Sequence, residues 1–224
     1  SVNKKVVIKP GFAVTEQDVI QLVSEQYVSR AALKLASIAT KFDLKFQDTV
    51  VLDVGSSTGG FTDYALQHGA KKVVAVDVGT NQLHPSLRGN PKVELYEKTD
   101  IRDVRLKMLD SGKKPEHGKV YIEDVADIVV ADVSFISLRI VLPSIKNLTS
   151  NSSNLVVMCK PQFEAGPNQT NKGVIKNSAV RRQILKDFEI WLMHNGFRIM
   201  DKADSQVAGT KGNVERFYKL LIRG

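Results

Sequence analysis

The chain has 224 residues, of which 42% are apolar, so it is long enough to bury a core in one large or two small domains. Its 32 lysines and arginines exceed its 24 acidic residues, and the net charge of +8 favours polyanionic partners such as nucleic acid. The apolar runs are far shorter than the ~18 residues of a membrane-spanning helix, and the single cysteine, Cys159, excludes an internal disulfide and a cysteine-rich metal cluster.

The first segment of the chain resembles the end of another domain. The stretch "KKVVIKPG" (4–11) has the pattern of a final β-strand followed by a turn. We therefore predict that residues 1–14 are the remnant or linker of a missing N-terminal domain. Residues 15–224 are predicted to form one further domain.

The next segment, "TEQDVIQLVSEQYVSRAALKLASIATKF" (15–42), shows helical periodicity. Apolar residues such as Leu35 and Ile38 recur at the spacing of one helix face. Thr15 and Asp18 have the spacing of a capping box at the start of a helix. The pattern predicts a helical lead-in to the sheet.

From residue 49 onward, short β-branched runs alternate with helical stretches. This alternation predicts an α/β protein with a doubly wound, mostly parallel, seven-stranded sheet and helices on both faces. Valine-rich runs suit central strands, whereas the alternating "ERFYKLL" (215–221) suits a terminal, edge-region strand. The predicted strands are 49–54, 72–78, 93–97, 127–133, 154–160, 197–203 and 216–222.

Charged residues follow five successive predicted strands. Parallel sheets of this type bind ligands beyond the carboxyl ends of their strands, near the point where strand order reverses. A single acid at a strand end is usually a helix cap, but charge at five ends indicates a site. The residues are Asp53, Asp77, Asp100, Asp132 and Lys160.

The turn "GSSTGGF" (55–61) after the first strand limits the class of ligand that can bind there. It lacks the lysine of GxxxxGK[ST] and the spacing of GxGxxG, so neither a nucleoside triphosphate nor a dinucleotide is indicated. An acid beside a helix N-terminus disfavours phosphate but attracts the cationic groups of S-adenosylmethionine. Asp53 is then expected near those cationic groups, Asp77 at the ribose hydroxyls and Asp100 at the adenine amino group. The predicted cofactor-binding residues are Asp53, Gly55, Ser57, Gly59, Gly60, Phe61, Asp77, Asp100, Ile101 and Asp132.

The segment after the fourth strand, "ADVSFIS" (131–137), bears on the methyl acceptor. It lacks the proline pair typical of enzymes that methylate an exocyclic base amine. Cys159 lies in an apolar strand and is expected to be buried rather than to act as the nucleophile of a base-carbon methylase. An alcohol acceptor therefore remains. The four histidines show no ligand spacing, so no metal is predicted.

Six motifs are distributed over nearly the whole chain: "YVSRAALKL" (27–35), "LDVGSSTGGFTD" (52–63), "VDVGTNQL" (76–83), "ADVSFIS" (131–137), "KPQFEAG" (160–166) and "GNVERF" (212–217). Together they resemble the TlyA family, the so-called hemolysin A proteins. The resemblance implies an FtsJ-like ribose 2′-O-methyltransferase that uses S-adenosylmethionine and acts on cytidines of ribosomal RNA, with an N-terminal RNA-binding domain that is mostly missing here. It also implies a catalytic tetrad of Lys34, Asp132, Lys160 and Glu215. This chain departs from the family's paired glycines at Ala31 and Ala32.

The tetrad has a physical rationale, because converging ammonium and carboxylate groups can hold and move a proton. Lys160 is predicted to be the base for the ribose hydroxyl, and Lys34 to hold the substrate. Asp132 and Glu215 are predicted to orient the two ammonium groups. Two basic stretches, 105–119 and 172–183, are candidate phosphate contacts. The predicted RNA-binding residues are Arg30, Lys34, Lys113, Lys114, Lys172, Arg181 and Arg182.

Two other functions remain open at this point. One is a non-catalytic RNA-binding module on a methyltransferase fold, and the other is the membrane-damaging activity that the name hemolysin suggests. The absence of long apolar runs argues against the second. The expected partner is ribosomal RNA or a ribosomal subunit, with no membrane partner, and the expected location is the cytoplasm.

Overall fold

A seven-stranded sheet organises the chain in this computed structural model, which describes residues 2–3, 12–20, 26–110, 112, 114–170, 173–207 and 212–223. Most of the predicted remnant at 1–14 lies outside the described residues, so that assignment stays a prediction. The strands of the sheet are β1 (Val50–Val54), β2 (Lys72–Val76), β3 (Val93–Tyr96), β6 (Ala126–Ala131), β7 (Thr149–Cys159), β8 (Phe197–Asp204) and β9 (Arg216–Ile222). A separate two-stranded sheet contains β4 (Val104–Leu106) and β5 (Val120–Ile122).

The strand order is β3-β2-β1-β6-β7-β9-β8, with the first five strands parallel and β9 antiparallel to both of its neighbours. The predicted mostly parallel sheet is therefore confirmed. The placement of "ERFYKLL" at a terminal edge is wrong, because β9 lies between β7 and β8. Its polar side chains have partners inside the fold: Lys219 donates to the Phe42 carbonyl and Arg216 pairs with Asp204.

Helices cover both faces of the sheet. On one face, α1 (Ala31–Ala39) and α2 (Gly60–Gln67) pack on side chains such as Val51 and Val130. On the other face, α4 (Leu138–Lys146) and α6 (Ser178–His194) cover the alternate residues of the same strands. Because successive strand residues point to opposite faces, valine-rich strands without polar alternation are buried on both sides. The short helices α3 (Pro85–Arg88) and α5 (Pro161–Glu164) lie in connections.

The helical lead-in is shorter than predicted, because only α1 is helical within the described part of 15–42. Asp18 does accept hydrogen bonds from the backbone N–H and hydroxyl of Thr15, as in a capping box, but residues 16–18 form a turn. Residues 26–30 are instead held on α2, where the Asp63 carboxylate accepts from Val28 N at 2.8 Å. This tertiary hydrogen bond competes with the helical conformation that the periodicity indicated.

The small sheet of β4 and β5 brackets part of the basic stretch 105–119 and was not predicted from the sequence. Its strands have three residues each, too few for a period-two pattern to be recognised. Val104, Leu106 and Ile122 are nevertheless buried and join the core beside the main sheet. In the part of the chain that the structure describes, no helix is both long and apolar enough to cross a membrane.

Candidate active site

A crevice lies at the carboxyl ends of β1 and β6, which are adjacent in the sheet although far apart in the chain. The chain order of the strands reverses between them, which is where doubly wound sheets bind ligands. Two cavities of about 280 and about 160 Å³ open here and share four lining residues: Gly55, Ser57, Asp132 and Ser134. The larger cavity is also lined by Asp77, Val78, Gln82, Asp100 and Ile101, and the smaller by Ala31, Asp53, Gly60, Phe61 and Lys160.

The turn at 55–61 needs glycine at two positions, because other parts of the chain pack closely against it. Gly55 has a φ of +80°, and a Cβ there would lie 2.6 Å from the carbonyl oxygen of Asp132. A Cβ on Gly60 would lie 2.4 Å from Ser29 Oγ, because the chain entering α1 rests on this turn. The glycines therefore bring β6 and α1 against the turn that separates the two cavities.

Asp77 is buried at the end of β2 and opens on the larger cavity. Its two carboxylate oxygens accept hydrogen bonds from Ser57 N at 2.8 Å and Gly79 N at 2.6 Å. A carboxylate has about four acceptor sites, so two remain for a ligand. This geometry suits the predicted contact with a pair of ribose hydroxyls.

Asp53 is fully buried at the end of β1 and lines the smaller cavity. Thr62 donates its hydroxyl hydrogen to Asp53 Oδ2 at 2.7 Å, but Oδ1 is buried without a hydrogen-bond partner. Burial raises the pKa of the Asp53 carboxyl to about 7, the hydrogen bonds from Thr62 oppose this, and the nearby Asp132 and Asp77 carboxylates add to it. An orphaned buried carboxylate oxygen is suited to a cationic ligand.

Asp100 and Ile101 line the larger cavity beyond β3. The Asp100 carboxylate is already engaged by Arg102, which donates from its backbone N–H and from two guanidinium nitrogens at 2.7 to 3.0 Å. The Arg102 guanidinium lowers the pKa of Asp100, so the group is a charged acceptor. A contact with an adenine amino group would use a remaining acceptor site, and this role stays a prediction.

Lys160 follows β7 and lies between two residues of the segment after β6. Its Nζ is 2.6 Å from Asp132 Oδ1 in an ion pair that lacks hydrogen-bond geometry. The same Nζ donates a hydrogen bond to Ser134 Oγ at 2.7 Å. Ser134 was missed in the sequence analysis, although it lies within the quoted "ADVSFIS" motif and two residues after Asp132.

The other two tetrad residues form a second ion pair. Lys34 Nζ donates to Glu215 Oε2 at 2.6 Å, and only 15% and 4% of the two side chains are exposed. Lys34 lies one turn after Ala31, which lines the smaller cavity. The structure thus gives each predicted lysine a buried or half-buried carboxylate partner.

The strand register brings the two pairs to the same end of the sheet. Cys159 of β7 pairs with Arg216 of β9 in antiparallel register. Lys160 follows the first of these residues and Glu215 precedes the second, so both lie at neighbouring strand ends. Asp132 directly follows β6, which neighbours β7 on its other side. Asp132 and Lys160 line the smaller cavity, whereas Lys34 and Glu215 line neither cavity but lie at the same end of the sheet.

The predicted RNA contacts are in different environments. Those exposed in the structure are Arg30, Lys114 and Arg182. Lys34 is the tetrad residue described above, and Lys113 and Lys172 lie outside the described residues. Within the described ranges, no group of three or more His, Cys, Asp or Glu side chains is arranged to hold a metal ion.

Arg181 has partners within the protein. Its guanidinium donates to Asp204 Oδ1 at 2.8 Å and to the carbonyl of Val214 at 3.1 Å. Asp204 also accepts from Arg216 at 2.6 Å, so this network supports the segment that carries Glu215. A role of Arg181 in RNA binding stays a prediction.

The fold and crevice define a class of protein. The structure of an S-adenosylmethionine-dependent methyltransferase from Listeria monocytogenes matches this chain with a TM-score of 0.59 at 19% identity, over 87% of this chain and 100% of that one. At this identity the likeness shows the fold alone, which is the Rossmann-like fold of such methyltransferases.

Sequence comparison shows the family. A family model described as FtsJ-like methyltransferase matches residues 27–220, and the chain belongs to this family. It is 38% identical over 201 residues to 23S rRNA (cytidine-2′-O)-methyltransferase TlyA of Campylobacter jejuni, covering 89% of this chain and 72% of that protein. It is also 34% identical over 223 residues to Hemolysin A of Brachyspira hyodysenteriae, and this match covers 99% of this chain and 88% of that protein. The resemblance to the TlyA and hemolysin A proteins is confirmed, and the chain is a methyltransferase.

Proposed function

We propose that this chain uses S-adenosylmethionine to methylate a ribose 2′-hydroxyl, that of a cytidine, in ribosomal RNA. The observation that carries the proposal is that two ion pairs, Lys160 with Asp132 and Lys34 with Glu215, lie at the end of the sheet where the crevice opens. The relative from Campylobacter jejuni is named for cytidine-2′-O methylation of ribosomal RNA, which supports the acceptor.

The residues of the two cavities fit S-adenosylmethionine. Asp77 offers acceptor sites for ribose hydroxyls, and the apolar side chains Val78 and Ile101 line the larger cavity where an adenine would lie. Asp53 Oδ1 offers a buried carboxylate oxygen to an ammonium group. When bound, the cofactor supplies an electrophilic methyl group, which passes to the acceptor oxygen as the carbon–sulfur bond breaks.

The chain's own residues have three tasks in this reaction. Lys160 takes the proton of the ribose hydroxyl, so that the oxygen carries a lone pair toward the methyl group. Lys34 holds the substrate by its positive charge, while Asp132 and Glu215 keep the two nitrogens in place and limit their mutual repulsion. Alignment of oxygen and methyl supplies much of the remaining rate enhancement.

Exposed groups near the crevice are suited to RNA. Phe135 is 92% exposed and lines the larger cavity. The centroid of its ring lies 5.4 Å from that of the Phe163 ring. Exposed aromatic rings stack on unpaired bases, and exposed cations contact phosphates. We further propose that the protein acts in the cytoplasm.

The central experiment is transfer of a labelled methyl group from S-adenosylmethionine to ribosomal subunits that lack the modification. The labelled nucleotide is then located by the resistance of its phosphodiester to alkaline cleavage. Label on the base would contradict methylation of the ribose. No label together with tight RNA binding would favour a non-catalytic module. Lysis of erythrocytes by detergent-free protein without methyl transfer would favour the hemolysin alternative.

The first prediction concerns the stability of the ligand-free protein. Burial raises the pKa of Asp53 to about 7 from an ordinary value of about 4. The folded state therefore binds a proton more tightly than the unfolded state, and this carboxyl lowers stability as pH rises from about 4 to about 7. Asp53→Asn should make the ligand-free protein more stable than wild type at about pH 8, with the gain vanishing toward pH 4. Chemical denaturation at several pH values measures this.

The same variant should bind the cofactor weakly. Wild-type affinity for S-adenosylmethionine should rise from about pH 5.5 to about pH 7.5, where an α-ammonium group is still mostly charged, because binding requires the ionised Asp53. Asp53→Asn should lose this dependence. Unchanged affinity in the variant would show that Asp53 does not hold a cationic group. A loss of stability of the ligand-free variant at pH 8 would contradict the destabilising effect of burying the ionised carboxylate.

The second prediction is that RNA binding weakens steeply with salt, because contacts with phosphates release counterions. Arg182→Gln should reduce the slope of log affinity against log salt by about 1. Lys45→Gln is the matched control, because Lys45 is exposed but lies before β1, at the opposite end of that strand from the crevice. A flat salt dependence in the wild type would argue against a phosphate-binding surface.

A further inference from the structure

We infer that Ser134 is a positioning residue for Lys160, directing the lone pair of its amine toward the methyl acceptor. The inference rests on the proposed function, in which Lys160 takes the proton of the acceptor hydroxyl. It is carried by the 2.7 Å hydrogen bond from Lys160 Nζ to Ser134 Oγ.

The two neighbours of Lys160 act differently on its nitrogen. Asp132 Oδ1 lies 2.6 Å from Nζ but without hydrogen-bond geometry, so it holds the nitrogen by charge, which has little directionality. Within the described residues, Ser134 Oγ is the hydrogen-bond acceptor of this nitrogen. Rotation about the Cε–Nζ bond is therefore restrained by the serine rather than by the carboxylate.

The restraint matters most once Lys160 is neutral. A neutral amine has two N–H groups and one lone pair. One N–H is engaged by Ser134, and the Asp132 carboxylate repels the lone pair but attracts the second N–H. The lone pair is thereby left at the third position. With the serine removed, the amine samples orientations that cannot accept the proton.

The position of Ser134 fits this role. It lines both cavities, whereas Lys160 lines the smaller one, so the hydrogen bond lies beside the junction of the two cavities. Ser134 is itself exposed, and without its hydroxyl the buried Lys160 nitrogen still has the Asp132 carboxylate as a partner. Its removal should leave the fold and the Lys160–Asp132 ion pair intact.

Single-turnover methylation of ribosomal subunits by the full chain tests the inference. Ser134→Ala should lower the rate about tenfold, the scale of one ordinary hydrogen bond, with unchanged KM for RNA and unchanged cofactor affinity. Ser134→Thr, which keeps the hydroxyl, should restore most of the rate. In a Lys160→Arg background, Ser134→Ala should have no additional effect.

Ser137→Ala is the matched control from the same segment. Ser137 Oγ accepts from Arg139 N at the start of α4 and donates to Glu164, so its loss should lower thermal stability but leave the rate of the folded enzyme unchanged. If the wild type is active and Ser134→Ala has full activity, the inference about Ser134 is wrong but the proposed function stands. Additive losses in the double variant would also overturn the inference about Ser134. An inactive wild type would instead overturn the proposed function.

Discussion

Replacing Lys160 by arginine should lower the single-turnover rate of methylation by ~10²-fold or more, the usual scale for loss of a general base. Arginine keeps the positive charge next to Asp132 but does not give up its proton in proteins. The affinities for S-adenosylmethionine and RNA should therefore remain close to those of the wild type. Rapid-quench methylation with enzyme in excess over ribosomal subunits measures the chemical step.

Lys34→Arg provides the comparison within the same tetrad. Lys34 is paired with Glu215 and is proposed to hold the substrate, a task that a guanidinium can also perform. Its rate loss should be clearly smaller than that of Lys160→Arg, with a larger effect on KM for RNA. A near-normal rate for Lys160→Arg would remove the base role and leave Lys160 with charge and positioning only.

Asp77→Ala should weaken binding of S-adenosylmethionine by on the order of 100-fold or more, because two charge-assisted hydrogen bonds to the ribose are lost. The backbone N–H groups of Ser57 and Gly79 also lose their acceptor, which disturbs the turn around the cavity. Titration calorimetry with the ligand-free protein measures the change.

The control for Asp77→Ala is Asp124→Asn. Asp124 is a half-buried acid that pairs with Lys72 at the start of β2, the end of that strand opposite Asp77. The affinity of the Asp124→Asn variant for S-adenosylmethionine should equal that of the wild type. Wild-type affinity in Asp77→Ala, or tight binding of a nicotinamide dinucleotide to the unmodified protein, would show that the cofactor assignment is wrong.

The strand-end acids could be predicted from the sequence because they depend on local pattern. Valine-rich runs mark buried parallel strands, and the residue after each run lies at the same edge of the sheet whatever the strand order. This is why Asp53 and Asp77, which line the two cavities, could be proposed as ligand-binding residues from the sequence. The turn at 55–61 could be recognised for the same reason, because the spacing of its glycines is contained within seven residues.

The features that were missed depend on the tertiary arrangement. The edge position of β8 rather than β9 follows from a hairpin that inserts the last strand beside β7, and period-two alternation cannot show this order. The late start of α1 depends on the hydrogen bond from Val28 to Asp63, which joins residues 35 positions apart. The contact of Ser134 with Lys160 depends on the direction of two side chains, which spacing does not specify.

The ion pair of Lys34 with Glu215 joins residues 181 positions apart, so the active centre spans nearly the whole chain. The cofactor turn lies in the first third of the sequence, whereas Glu215 precedes the final strand. During synthesis from the N-terminus, the parallel half of the sheet can emerge and begin to pack long before β9 is made. A nascent chain can therefore form the two cavities while it still lacks Glu215, so the proposed tetrad is assembled only after β9 has been made.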